Sequence, residues 1–313
     1  MVRKIILDCD PGHDDAIAIL LAYANPAVDL LAVTTVAGNQ TLPKTTLNAR
    51  RVMTVAGIRD VPVAAGADRP LVREQIVAEN IHGESGLDGP RFGEPTVELD
   101  PRHAVDLIIE TVLEHGDVTL VPVGPLTNVA LAIRREPRIL PRIREIVLMG
   151  GSYTLGNVTP AAEFNIYADP EAADVVFSSG LPITMIGLEL THQVKATPEV
   201  VARIRALGNP VAEMAAELLT YFASTYKKVF GFDGAPLHDP CAVAYVIDPE
   251  LIECQPANVQ VELRGTWTYG ATVCDMYGVT GRPANARVAI RIDAARFWDL
   301  IVEALATYSP PSS

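Results

Sequence analysis

Lys4-Ile5-Ile6-Leu7-Asp8-Cys9-Asp10-Pro11-Gly12-His13-Asp14-Asp15-Ala16-Ile17-Ala18-Ile19-Leu20-Leu21-Ala22-Tyr23-Ala24 changes character at its centre. Lys4–Asp8 is a short β-branched run and reads as a strand. Pro11-Gly12 breaks it, and Asp14–Ala24 reads as a helix. A strand that feeds directly into a helix is the first half of a β-α-β unit, and the pattern recurs downstream. Leu30–Val36 reads as a strand and Pro43–Ala56 as a helix, followed by a short strand at Pro62–Ala65. After an irregular, Gly- and Pro-rich stretch from Gly66 to Pro101, the alternation resumes. It gives helix His103–His115, strand Val118–Val123, helix Thr127–Arg135 and strand Glu145–Met149.

A second irregular stretch, Gly150 to Ala168, precedes helix Pro170–Ser178 and strand Ile183–Leu188. Helices follow at Pro198–Leu207, Val211–Val229 and Pro240–Tyr245. Strand material at Val259–Arg264, Thr268–Cys274 and Ala286–Ile292 comes before a last helix, Ala294–Thr307, and a loose tail from Pro310 to Ser313. Repeated β-α-β units predict an α/β fold: a mainly parallel, open, Rossmann-like sheet with helices on both faces and antiparallel strands added near the C-terminus. No internal repeat or linker divides the chain, so one domain over residues 1–313 is expected.

The chain has 313 residues, 49% of them apolar and 20% charged, with a net charge of −13. That much apolar side chain rules out global disorder. The acidic balance argues against nucleic acid or an anionic membrane as partner. No run approaches the ~20 apolar residues of a membrane span, and Arg3-Lys4 is followed by too short an apolar run for a signal peptide. Cys9, Cys241, Cys254 and Cys274 form no C-x-x-C pair. Reduced thiols in a cytoplasmic protein are expected, without structural zinc.

Ligands of such sheets bind beyond the carboxyl ends of the strands. The unusual polar residues gather there: Asp8 to Asp15 after the first strand, Ala37-Gly38-Asn39 after the second, Gly124 to Asn128 after the fourth, and Gly150-Gly151-Ser152 after the fifth. Asp8, Asp10, Asp14 and Asp15 put four carboxylates within eight residues. Asp14 and Asp15 suit an N-cap and first helical turn, but capping leaves Asp10 unexplained. Close carboxylates repel unless a cation neutralises them or some stay protonated. All-oxygen ligands favour Ca²⁺ or Mg²⁺. His13, the one nitrogen donor nearby, is expected to face solvent or to stand behind the ligands.

The run LDCDPGHDDAIAIL resembles the aspartate fingerprint of the nucleoside hydrolases, both inosine–uridine-preferring and pyrimidine-specific. The likeness continues in AGN at 37–39, VPVGPLTN at 121–128, VLMGG at 147–151, NVTPAAEFNIYADPEAA at 157–173 and HDP at 238–240. It covers nearly the whole chain. The resemblance implies Ca²⁺-dependent hydrolysis of the N-glycosidic bond of ribonucleosides, with one ion per subunit, in a homo-oligomer (dimer or tetramer) serving nucleoside salvage. It implies that Asp10, Asp15, the Val123 carbonyl and Asp239 hold the metal, and that Asp10 takes the proton of the attacking water. Asp14, Asn157, Glu163 and Asn165 would hold the ribose hydroxyls, Asn39 would orient the water, and Met149 would line the floor. His82 and His238 would face the base as catalytic groups.

An oxocarbenium-like sugar suits a carboxylate-lined pocket, and a histidine titrating near neutrality suits the departing base. Pyrimidine-preferring relatives often carry glutamine in the helix before the last site loop. This chain has Tyr226 there, which could stack on the base, donate its hydroxyl, or pack in the core. Uridine or cytidine is the expected preference; a purine or broad inosine–uridine specificity is the alternative. Two remoter readings are a D-x-D phosphatase built on Asp8-Cys9-Asp10 and a non-catalytic Ca²⁺-dependent sugar-binding protein. The phosphatase lacks a phosphate cradle, since neither G-x-G-x-x-G nor a P-loop occurs. The binding protein leaves the two histidines without a task.

Overall fold

The computed structural model describes residues 2–308; the expected tail from Pro310 to Ser313 lies outside the described residues. Eleven strands are present among the described residues: β1 (Arg3–Cys9), β2 (Val28–Thr35), β3 (Val63–Ala65), β4 (Val118–Pro122), β5 (Ile143–Met149), β6 (Ile183–Ile186), β7 (Lys195–Ala196), β8 (Ala235–Pro236), β9 (Ile252–Val261), β10 (Thr272–Asp275) and β11 (Ala286–Ile292). Nine of them form one sheet in the order β10-β9-β11-β6-β5-β4-β1-β2-β3; β7 and β8 make a separate antiparallel pair. From β3 across to β11 every pairing is parallel, and β9 runs against both its neighbours. The α/β architecture with late antiparallel strands is therefore as expected.

Alternation along β1 explains the layering. Ile5, Leu7 and Cys9 enter the core on one face, while Ile6 enters the core on the other. Helix His13–Ala24 covers the first face and helix Thr127–Arg135 the second. β1 and β4 are neighbours whose following helices go to opposite faces. That leaves a crevice between their carboxyl ends, the position at which open α/β sheets bind ligands.

Two helices bring remote residues to this crevice. Helix Asp239–Ile247 is buried along nearly its whole length and packs on His13–Ala24, so their first turns meet. Helix Pro210–Phe230 starts at Asn209, whose side chain accepts from the Ala212 amide at 2.8 Å, and stops at Gly231 with φ 73°. Only a residue at ease in left-handed backbone ends a helix that way.

Several boundaries differ from the sequence reading. The strand expected at Val259–Arg264 begins at Ile252, hidden by Pro256, which argues against a strand from sequence but here pairs opposite Arg287. The N-cap of the first helix is Gly12, not Asp14, and Asp15 reaches back to the Gly12 amide. β7, β8 and the one-turn helices are too short to leave a periodic signal.

Candidate active site

Beyond β1, β4 and β5 lies a cavity of about 790 Å³, counting all free space to its mouth. Asp14, Asn39, His82, Val123, Met149, Asn157, Glu163, Asn165, Tyr226, His238 and Asp239 all line it. Asp10 and Asp15 do not line it; both are fully buried beside those that do. The residues named from sequence thus converge, although they span most of the chain.

Carboxylate oxygens of Asp14, Asp15 and Asp239 come within 4.8 Å of one another, all buried. Asp15 accepts from the amides of Asp10 at 3.0 Å and Gly12 at 2.8 Å. Asp10 Oδ2 accepts from the Asn39 amide at 2.6 Å, while Asp10 Oδ1 is buried with no hydrogen-bond partner. Asp10 stands outside the close trio. Burial first, and then repulsion from Asp15, pushes Asp10 well above the usual carboxylate range and Asp14 to about 8. Asp239 is raised by burial and by Asp14, Asp15 and Asp10. Two helix N-termini offset part of this charge. An unpartnered buried oxygen beside three crowded carboxylates is the arrangement a divalent cation relieves, and hard oxygen donors alone suit Ca²⁺ or Mg²⁺. The residues present fit a metal ion.

The sugar-side residues are held from behind. Glu163 caps helix Phe164–Ala168, accepting from the amides of Asn165 at 2.9 Å and Ile166 at 3.2 Å, and from that of Gly151 at 2.9 Å. Burial still pushes it up to about 7. Asn165 Nδ2 donates to the carbonyls of Val123 at 2.7 Å and Met149 at 3.1 Å. Asn157 Oδ1 accepts from the Phe164 amide at 2.9 Å.

At the other end the wall is aromatic. His238 is the N-cap residue before Asp239. Its Nδ1 lies 2.8 Å from Thr191 Oγ1, and its Nε2 lies 2.7 Å from the Tyr226 hydroxyl. Tyr226 stands edge-on to Phe222, 4.9 Å between centroids. Burial pushes both His82 and His238 well below the usual imidazole range. Burial thus favours the neutral form of both rings and works against the resting histidine titrating near neutrality that the sequence suggests.

His82, expected to face the base, closes the one-turn helix Glu79–His82, is buried and lines the cavity. Of the two places expected for His13, solvent is not the one it takes. It is fully buried, with its ring stacked against those of His82, Tyr221 and Phe222. The sequence reading also missed Thr191 and the apolar lining from Ile81, Phe222 and Phe230. Phe222, Tyr226 and Phe230 recur every four residues, so one helical stripe could have been read; Thr191 left no such signal.

With this geometry in view, similarity to known proteins becomes specific. Residues 5–299 match the family described as inosine-uridine preferring nucleoside hydrolase. The pyrimidine-specific ribonucleoside hydrolase RihB of Escherichia coli (strain K12) is 53% identical over 307 residues, which cover 98% of each chain. Among solved structures, a purine-preferring ribonucleoside hydrolase from Gardnerella vaginalis superposes with a TM-score of 0.92 at 33% identity, covering 98% of this chain and 99% of that one. A plant nucleoside hydrolase, PpNRh1, gives 0.90 at 32% identity over the same shares. The chain belongs to the nucleoside hydrolase family, enzymes that hydrolyse the N-glycosidic bond of ribonucleosides to free base and ribose. That is the class implied by the aspartate fingerprint.

Proposed function

We propose that the chain is a Ca²⁺-dependent, pyrimidine-preferring ribonucleoside hydrolase. The observation that carries this reading is the polarity of the cavity. Crowded carboxylates form one end and the His238–Tyr226 pair the other, with Asn157, Glu163 and Asn165 between them. No lysine or arginine is among the lining residues, which speaks against a phosphorylated substrate and so against the phosphatase reading.

Asp10, Asp15, Asp239 and the Val123 carbonyl would hold one Ca²⁺ per subunit, with Asp14 close enough to share the charge. The ion would supply a coordination point for ribose hydroxyls and water and raise the acidity of that water. Asp10, with its free Oδ1, accepts the proton of the attacking water, and Asn39 orients it. Asp14, Asn157, Glu163 and Asn165 fix the ribose, and the carboxylates of Asp14 and Glu163 favour the oxocarbenium-like sugar over the ground state. Met149 supports the ring from below. Cleavage sends the bonding electron pair onto the base. The hydrogen-bonded chain Thr191–His238–Tyr226 can shift a proton toward it, while His82, which also lines the cavity, faces the base.

Pyrimidine preference rests on the 53% identity to RihB, with Tyr226 as the residue at issue. Four unpaired thiols suit a reducing, cytoplasmic compartment, and no helix among the described residues is long and apolar enough to cross a membrane. We extend the proposal to a homo-oligomer acting in nucleoside salvage. A panel of ribonucleosides and 2′-deoxyribonucleosides, scored for free base with and without Ca²⁺, tests the reading. Uridine or cytidine should lead inosine in kcat/KM. A lead for inosine overturns the base preference, and binding without turnover restores the sugar-binding alternative.

A further inference from the structure

Beyond β5 the chain stays tied to the sheet as far as Ser152. The Gly151 carbonyl accepts from the Leu188 amide at 3.0 Å, and the Ser152 amide donates to Thr272 Oγ1 at 2.8 Å. From Gly156 the loop closes on itself. The Gly156 amide donates to the Pro160 carbonyl at 3.0 Å and the Asn157 amide to the Ala162 carbonyl at 3.1 Å. A side chain at Gly156 would strike the carbonyls of Thr159 and Ala162. Between these two fixed parts runs a connector, residues 153–155, that belongs to neither helix nor strand.

One carboxylate holds the connector. Glu189 Oε1 accepts from the Tyr153 amide at 3.0 Å, the Thr154 amide at 2.7 Å and the Thr154 hydroxyl at 2.6 Å. Neither amide has another acceptor among the described residues. Glu189 Oε2 is buried without a hydrogen-bond partner. A carboxylate with one oxygen stranded is a poor choice for stability alone. An apolar residue would pack on the one-turn helix Leu188–Thr191 without that penalty, but it would leave the connector without its anchor.

Three residues past the anchor stands Asn157, which lines the cavity. Its Oδ1 accepts from the Phe164 amide at 2.9 Å, and its Nδ2 makes no hydrogen bond to protein among the described residues. Nδ2 is therefore a donor left for a ligand. We infer that Glu189 is a positioning residue: it anchors Tyr153 and Thr154 and thereby holds Asn157 where its Nδ2 donates to a ribose hydroxyl. The substrate in this inference rests on the nucleoside hydrolase reading; the anchor does not. Glu189 shares its helical turn with Thr191, whose Oγ1 lies 2.8 Å from His238 Nδ1. That neighbour makes a merely structural role recognisable. If Glu189 only kept the turn folded, its loss would also loosen His238, and the damage would fall on substrates whose base must be protonated.

The test uses the full chain with Ca²⁺ supplied, assayed on uridine and on a nitrophenyl riboside, which carries the same ribose but leaves without a proton. Glu189→Ala should lower kcat/KM about fivefold on both substrates, mainly through KM, a part of the roughly tenfold expected when Asn157→Ala removes one neutral hydrogen bond outright. In the Asn157→Ala background, Glu189→Ala should lower it no further. Glu189→Gln keeps an oxygen acceptor and should restore the wild-type KM. A loss confined to uridine, or one that adds in full to that of Asn157→Ala, overturns the inference. If Glu189→Ala does not fold, Thr154→Val removes one donor at an exposed position and should give the same pattern on a smaller scale. Hydrogen exchange supplies a readout independent of turnover: the Tyr153 and Thr154 amides should be protected in the wild type and lose that protection in Glu189→Ala. Unprotected amides in the wild type overturn the anchor even if nucleosides are hydrolysed. Protected amides without turnover of any nucleoside would instead overturn the hydrolase reading and leave the anchor standing.

Discussion

At the carboxylate end of the cavity, Asp10, Asp14 and Asp15 leave β1 within six residues and are held largely by backbone: the amides of Gly12 and Asn39, and the first turns of two helices. At the aromatic end, His82, Tyr226 and His238 arrive from three separate elements: Tyr226 and His238 are held by each other and by Thr191, and His82 by His13 and the Phe222 ring. A backbone-held end is positioned by the sheet and tolerates little change. A side-chain-held end can be retuned by single substitutions. Chemistry common to every ribonucleoside belongs at the first end and choice of base at the second.

The largest effect expected is discrimination by the carboxylate end against 2′-deoxyuridine relative to uridine, on the order of 10⁴-fold in kcat/KM, because a site built around a hydroxyl leaves polar groups unpaired without it. Comparable rates on thymidine and uridine would show that this end does not read the sugar. Next is Asp10→Asn, expected to lower kcat by at least ~100-fold with unchanged circular dichroism and bound metal, the scale of losing a general base. A metal-loaded variant with near-normal kcat would reduce Asp10 to a ligand.

Tyr226→Phe removes the hydroxyl 2.7 Å from His238 Nε2. It should cost about tenfold in kcat for uridine while the deoxy discrimination stays intact, since one neutral hydrogen bond is lost at the other end. A loss of ribose discrimination in this variant would blur the two ends into one.

The smallest effect concerns stability. Burial raises Asp14 to about 8 and Glu163 to about 7, above the values of about 4 for unfolded carboxyls. Between those limits the native chain binds more protons than the unfolded one, so the metal-free protein loses stability as pH rises from about 4 to 8. Its thermal midpoint should be a few degrees lower at pH 8 than at pH 5.5, and added Ca²⁺ should recover the difference. A metal-free midpoint that rises with pH would show that the carboxylates are not strained by their crowding.

The contrast between the ends also explains what could be read from sequence. β1, the break at Pro11-Gly12 and the following helix are contiguous, so the aspartates and their place at a strand's carboxyl end were legible in one stretch of residues. Asp239 was legible only through the likeness of His238-Asp239-Pro240 to the family's motif, since a helix start alone reads equally well as a capping pair. The His13–His82 contact was not, because it depends on where helix Glu79–His82 settles within a long irregular segment without periodicity. Thr191 was hidden for the same reason: it lies on a one-turn helix and matters only through His238. The start of β9 was obscured by Pro256, whose missing amide hydrogen is tolerated there.

The division of labour is tested most directly by His238→Ala assayed on uridine and on a nitrophenyl riboside, whose leaving group departs without protonation. The account predicts that kcat for uridine falls by about 100-fold or more while kcat for the nitrophenyl riboside stays within a few-fold of wild type. Equal losses on both substrates would contradict it, placing His238 in general binding and leaving the departing base without its acid.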